Sequence, residues 1–509
     1  MKHLFSLLFI LQLFTTAHSQ TATQASDTSY SGKALSGVVL DSDTKAILPY
    51  TNIYVLRTGK GTISNELGHF TLNLDGLGKT DTLRFQYVGY KTRNIPLSEL
   101  EISSVVYLQA EIINLSELLV FSSEPDLIEI VKNVLKHKDA NYKPTTSKEQ
   151  VFIRQRDIAD IEKLNFNYKK SSIPELDRKT IALAEEKIPR NFTSYTDFLG
   201  NLYFTKNKDD SITLKVEPIR TVSLKEKDIT ELDQIAKIFE KAFASTREGE
   251  YWKVKTGIFS QELDQEDLKP EPENDSVNNN SQQLKYYGNS IKYRLEYSSL
   301  DDKDDWEFLH STGKYNYRLL GGSRVNGEDV YIIDFTPKKG GLYQGRMFIA
   351  TGTYALIRAD YEFAPDKVGT DFHLLGVGYT ENDLKGSIYF EKKNDNYELK
   401  YFSKKASSSA SFDRSIALIK KRKRTFFDET LNEIKIGVEL SVNMESSIEY
   451  LVLEEKGISE KQFTDFKQPE KMDVIYVGQF NDNLWKGYSI IEPTEQMKEY
   501  KKQVIKLED

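Results

Sequence analysis

Asp81-Thr82-Leu83-Arg84-Phe85-Gln86-Tyr87-Val88-Gly89-Tyr90 sets Leu83, Phe85 and Tyr87 against Arg84 and Gln86, the period of two expected of a half-buried strand. Upstream, Ser36-Gly37-Val38-Val39-Leu40-Asp41 is a short β-favouring run that ends in turn formers, and Thr44 to Pro49 leads into a second strand over Thr51 to Leu56. Gly61-Thr62-Ile63-Ser64-Asn65-Glu66-Leu67-Gly68-His69-Phe70-Thr71-Leu72 reads as strand, tight turn, strand. Asn65 and Gly68 suit that turn because both tolerate left-handed backbone angles, and His69 beside it is expected to pack its side chain. Val105 to Leu108 closes the sheet. The expected product is a β-sandwich of about seventy residues.

The same residues carry a resemblance. Gly37-Val38-Val39, then Leu48-Pro49 before a strand, Gly61-Thr62, Gly68-x-Phe70, a threonine-leucine pair and Tyr87-Val88-Gly89-Tyr90 resemble the carboxypeptidase-regulatory-like (transthyretin-like) module of bacterial envelope proteins. The resemblance implies a scaffold rather than a catalyst. In that family the module often precedes the plug of TonB-dependent outer-membrane receptors, and Leu115-Ser116-Glu117-Leu118-Leu119-Val120 is similar to the segment that follows it there. No plug follows here, and the remaining length is too short for a plug and a large barrel. Beyond the module the chain resembles only uncharacterised proteins, through a closing segment at Trp485-Lys486-Gly487-Tyr488-Ser489-Ile490-Ile491-Glu492-Pro493-Thr494.

Residues 1–19 read as a secretory leader: Lys2 and His3 start it, Leu4 to Phe14 is apolar, and Ala17-His18-Ser19 precedes an expected cut before Gln20. The apolar run of about ten residues is half of what spans a bilayer. The 509 residues contain no cysteine, which removes disulfides, thiolate ligands, cysteine nucleophiles and an acylated cysteine together. The expectation is an exported protein of the periplasm or outer membrane without a covalent lipid. With 29 Tyr, 27 Phe and a net charge of −8, the chain is folded and gives no sign of a nucleic-acid partner.

Catalytic signatures are absent from the sequence. Of His3, His18, His69, His137, His310 and His373, none has Glu three residues later and none forms His-Glu-x-x-His. Gly-x-Ser-x-Gly, the phosphate-binding loop and Gly-x-Gly-x-x-Gly are missing too. Asp301-Asp302-Lys303-Asp304-Asp305 has the oxygen ligands calcium favours but not the EF-hand spacing, so it reads as a solvated loop. No cofactor, metal or catalytic residue is assigned, and the chain is read as a non-enzyme.

The organisation expected is mainly β with some α. A flexible 20–34 leads into the sandwich at 35–109, and 110–140 holds a linker and an amphipathic helix. Ser123-Glu124-Pro125-Asp126 caps that helix, and Leu127, Ile130, Val131, Val134 and Leu135 form its docking face. Residues 141–260 mix helix and strand, with a second helix over about 230–244, and 261–284 is an acidic, Asn-rich loop. Residues 285–509 form a larger antiparallel β-meander with packed helices and a last helix from Glu495 capped by Thr494. Alternation places strands at Ile291-Tyr293-Leu295-Tyr297, Ile357-Ala359-Tyr361-Phe363 and Ile434-Ile436-Val438-Leu440-Val442, while Asn326-Gly327 and Asn394-Asp395-Asn396 mark hairpin turns.

Such a meander folds over helices, forms a sandwich, or closes in the membrane with its greasy face outward. The rhythm of Gly327 to Tyr361 is similar to the half-barrel of periplasmic lipoprotein carriers, which implies an apolar face that holds acyl chains. Early helices, a mean hydropathy of −0.52 and a charged end, Lys506-Leu507-Glu508-Asp509, speak against a membrane barrel. Lys420, Lys421, Arg422, Lys423 and Arg424, followed by Phe426 and Phe427, are the candidate contact with an anionic surface. The reading is a non-catalytic binding or assembly protein at the periplasmic side of the outer membrane. Its expected partners are outer-membrane proteins, lipid or glycan. A small outer-membrane barrel and a hydrolase with an unrecognised site are the alternatives.

Overall fold

A computed structural model describes residues 33–100, 103–111, 125–206, 212–224, 249–257, 259–263, 281–325 and 327–500. The leader, the segment at Leu115–Val120, the helix expected over 230–244 and the charged end at 506–509 lie outside the described residues.

The front unit is two small sheets. Strands β1 (Ala34–Asp41), β4 (His69–Asn73) and β7 (Ser103–Leu108) pair in the order β4-β1-β7. Strands β2 (Asn52–Val55), β3 (Gly61–Ile63), β5 (Thr82–Gln86) and β6 (Arg93–Pro96) pair as β3-β2-β5-β6. Leu83 and Phe85 point inward with no exposed surface, and the Phe85 ring meets Phe70 edge-on at 5.6 Å. In the β3–β4 turn Gly68 takes the left-handed angle, φ +77°, while Asn65 acts through its side chain, whose Oδ1 accepts from the backbone N–H of Leu67 and His69 at 2.9 and 3.0 Å. His69 itself is exposed, because it occupies the outward position of β4.

The body is one large sheet. Its strands are β8 (Ser147–Ser171), β9 (Asn191–Lys206), β10 (Ile212–Leu224), β11 (Glu250–Thr256), β12 (Phe259–Leu263), β14 (Tyr315–Val325), β15 (Glu328–Pro337), β16 (Tyr343–Ala350), β17 (Leu356–Phe363), β18 (Asp371–Leu374), β19 (Val377–Lys393), β20 (Asn396–Arg422), β21 (Glu429–Gly457) and β23 (Ile475–Val477). β13 (Ser281–Gln283) and β22 (Lys471–Asp473) pair apart from it. The main path is β14-β15-β16-β17-β19-β20-β21-β8-β9-β10-β23, and among the described residues its two edges do not pair with each other. Neighbours are antiparallel except β10 and β23. No described helix is long and apolar enough to cross a membrane.

Helices α1 (Leu127–Lys136) to α4 (Glu307–His310) lie on one face of this sheet. α1 (Leu127–Lys136) is capped by Asp126, whose side chain accepts from the N–H of Ile128 and Glu129, and buries Ile130, Val131 and Val134. α2 (Arg178–Lys187) packs on β8. α3 (Leu284–Leu295) corrects the strand expected at Ile291–Tyr297. Leu284, Tyr287, Ile291 and Leu295 share a helical stripe against the core, so a seven-residue helical face had mimicked alternation, while Tyr293 is 76% exposed. The turn and short α4 (Glu307–His310) that follow bury Trp306 and Phe308 among Phe335, Tyr343 and Tyr361.

On the opposite face, Trp485, Ile490 and Ile491 pack on Phe152, Leu199 and Leu451 together with Ile63 of the front unit. This strap ends in α5 (Glu495–Lys498), capped as expected by the Thr494 hydroxyl. It ties the two units together: Thr62 Oγ1 donates to the Ile490 carbonyl (2.9 Å) and Asn65 Nδ2 to that of Glu492 (3.1 Å). Beneath it Arg154, 5% exposed, forks onto Asp197 at 2.8 and 2.7 Å and donates to the Ile491 carbonyl at 3.0 Å.

Candidate functional site

A cleft of about 720 Å³ lies between Pro49, Tyr50 and Tyr87 of the front unit and the faces of β14–β17, β19 and β20. Its carboxylates are engaged. Asp334 receives Arg346 at 2.7 Å and Arg318 at 3.0 Å, Glu362 receives Gln344 at 3.1 Å, and Asp360 receives the Ser387 hydroxyl at 2.6 Å. Arg358 forks onto Asp360, donates to Tyr87 Oη at 3.1 Å, and stacks 4.2 Å from the Tyr87 ring centre. Arg358 is 2% exposed, because Tyr87 covers it. Each of these acids is hydrogen-bonded to a side chain of the cleft, which suits a seam between units.

Among the described residues no group of His, Asp and Glu is placed to hold a metal ion. In the acidic knot, Asp301 pairs with Lys138 at 2.8 Å and Asp305 with Lys404 at 2.5 Å, while Asp302 caps the N–H groups of Asp304 and Asp305.

Three carboxylates do gather near the β19–β20 turn. Lys393 pairs with Glu455 and lies 2.9 Å from Glu398. Burial, with the Glu455 charge beside it, pushes the Glu149 carboxyl up to about 8. Burial and the hydrogen bond shared with Glu398 push Glu455 up to about 7. Both values lie above the ordinary 4.5, so the folded state holds these protons more tightly than the unfolded chain. Their contribution to stability is therefore full below about pH 4.5 and is lost as pH rises through about 7 to 8. Glu149→Gln should flatten that loss, so that urea midpoints of wild type and variant converge at pH 5 and separate at pH 8.5 in favour of the variant. A constant offset at both pH values would show that Glu149 does not titrate in that window.

The longest strands carry an apolar face between the main core and the smaller cluster under α2, where Ile181 meets Phe166, Tyr168 and Ile436. β20 and β21 run 27 and 29 residues, and their register sets Val377, Phe412, Leu440 and Leu164 in one cross-strand row and Tyr379, Ala410, Val442 and Ile161 in the next. These eight side chains are half-buried. They share the side of β21 that bears Tyr450 and Val452 in the helix-covered core. The reverse side is polar: Ser411, Ser441 and Lys163 make one row, and Asp413, Glu439 and Asn165 the next.

The basic run ends β20 and enters the turn to β21. Lys420, 6% exposed, lies 3.1 Å from Glu250, and Arg422 lies 2.8 Å from the same carboxylate. Arg424 meets Glu429 at 2.7 Å, Lys423 sits 5.7 Å over the Tyr251 ring, and Lys421 is half-buried opposite Thr430. The run is thus divided between an ion-paired strand end and an outer turn. Sequence did not foresee Glu250 as partner, since it arrives on β11 from 170 residues upstream of Lys420.

Residues 35–120 match a family model described as the CarboxypepD_reg-like domain. The front unit is a CarboxypepD_reg-like domain. Its match extends past β7 to residue 120, beyond the boundary at 109 expected from strand pattern. Tyr50 and Tyr87 of the cleft, and Thr62 and Asn65 under the strap, all belong to the CarboxypepD_reg-like domain. No curated protein matches the chain. Among solved structures, MucB of Pseudomonas aeruginosa in its complex with MucA is 7% identical, with 62% of this chain and 93% of that one covered and a TM-score of 0.18. A LolA superfamily protein of Nitrosomonas europaea is 8% identical over 68% of this chain and 99% of that one, at a TM-score of 0.17. Scores of this size assign neither fold nor role.

Proposed function

We propose that this chain is a non-catalytic, exported protein of the cell envelope, at the periplasmic side of the outer membrane, that takes an acyl-bearing amphiphile on the apolar face of its long strands. The observation that carries the reading is the pair of rows Val377-Phe412-Leu440-Leu164 and Tyr379-Ala410-Val442-Ile161, half-buried on the core face of the sheet between the main core and the cluster under α2. Apolar lining with a polar border suits an acyl chain, whose orientation a few polar groups then fix. The leader and the CarboxypepD_reg-like domain support the location, and the engaged carboxylates of the cleft support binding over catalysis.

The test is displacement of a fluorescent fatty-acid analogue from the purified protein. Leu440→Lys should weaken its binding by roughly tenfold or more, since one buried leucine is worth about 1.5–3 kcal/mol. Ser411→Lys, on the reverse side, should change it little. Equal effects of the two, or no binding by wild type, would overturn the reading. The export part is tested separately: the mature chain should begin near Gln20 in the envelope fraction, and an intact Met1 on a cytosolic protein would refute it.

A further inference from the structure

The turn that joins β20 to β21 presents two adjacent phenylalanine rings to water. Phe426 is 89% exposed and Phe427 90%, against 66% for Leu374 at the β18–β19 turn. Side chains this apolar are costly to leave in water, and nothing on their own hairpin covers them. They are also far along the sheet. Arg422 at the strand end is 21 residues beyond Tyr401 in the core (422 less 401), roughly 70 Å of contour at about 3.3 Å a residue. The turn follows the last cluster on the sheet, in which Leu418 and Ile434 pack with Ile181 of α2, and it projects from that end of the strands.

Charge accompanies the rings. Lys420 to Arg424 bring five positive charges against the carboxylates of Glu250, Asp428 and Glu429, an excess of two. Glu250 neutralises part of the strand end, and Asp428 accepts from the Tyr251 hydroxyl at 2.6 Å. Lys423 and Arg424 are exposed within four residues of both rings. Aromatic side chains flanked by cations fit the boundary between headgroups and acyl chains, where the rings enter the apolar layer and the cations meet anionic phosphates. A hairpin turn keeps unpaired backbone groups, which limits it to that shallow depth.

We propose that the β20–β21 turn is a membrane-surface anchor. Phe426 and Phe427 enter one leaflet of a bilayer, and Lys421, Lys423 and Arg424 contact its anionic phospholipid headgroups. The anchor is independent of the amphiphile-binding reading, because its residues lie outside the apolar rows.

Flotation of the full-length protein with phosphatidylcholine vesicles, with and without phosphatidylglycerol, tests this. Wild type should float with the anionic vesicles and release progressively as salt rises. Phe426→Ser combined with Phe427→Ser should reduce the bound fraction at least about tenfold, and Lys421→Glu combined with Lys423→Glu should abolish the preference for phosphatidylglycerol. Both variants should keep the wild-type circular dichroism and the wild-type displacement of the fatty-acid analogue, which separates loss of the anchor from loss of the ligand site. Undiminished flotation of the double serine variant would overturn the proposal, as would wild type that binds neither vesicle, the result expected of a turn that meets another protein.

Discussion

Arg154→Ala is expected to destabilise the body by about 3–5 kcal/mol, the usual cost of removing one partner from a buried ion pair. Asp197 has no exposed surface, so the variant leaves a carboxylate enclosed without its fork, and the Ile491 carbonyl loses its donor as well. Most of that penalty comes from the stranded charge. A double variant, Arg154→Met with Asp197→Leu, should therefore be closer to wild type than the single one. Urea midpoints of the three proteins check both statements. A loss below about 1 kcal/mol for Arg154→Ala would mean that water reaches Asp197.

The second large effect is in the CarboxypepD_reg-like domain. Phe85→Ala removes a ring with no exposed surface from between the two small sheets, along with its edge-on contact to Phe70. The expected cost is about 3–5 kcal/mol, because transfer and cavity terms add. Hydrogen exchange of peptides from residues 35–108 in the full chain should quicken by a factor on the order of a hundred or more, with β14–β17 little altered. If the slowest amides of β5 keep their protection, Phe85 is not a core residue.

Local chemistry made the front domain legible. Its turn is built by Asn65 and Gly68 within a few residues, and the inward phase of β5 follows from Leu83 and Phe85 alone. The stripe on α1 and the alternation of β21 were readable for the same reason. Where one set of residues satisfies two periods, pattern fails: Ile291 and Leu295 fit a strand as well as a helix, and only the core under α3 decides between them. Distance defeats it too. Arg358 became a buried group through Tyr87, 271 residues away, and Lys420 and Arg422 through Glu250. The two rows of the apolar face needed strand register. β8 carries an extra residue at Glu162, between the partners of Ser441 and Val442, so periodicity alone does not say which side chains meet.

The strap has a consequence in time. Thr62 and Ile490 are 428 positions apart, so the hydrogen bond between them waits until residue 490 has been made. The front domain, whose core is its own, is free to fold early, but it stays tethered and undocked until the closing segment has lain down over Arg154. A chain that stops short of residue 485 would then carry a folded head on an unfinished body. Its uncovered Phe152, Leu199 and Leu451 would mark it as incomplete to any factor that recognises apolar surface.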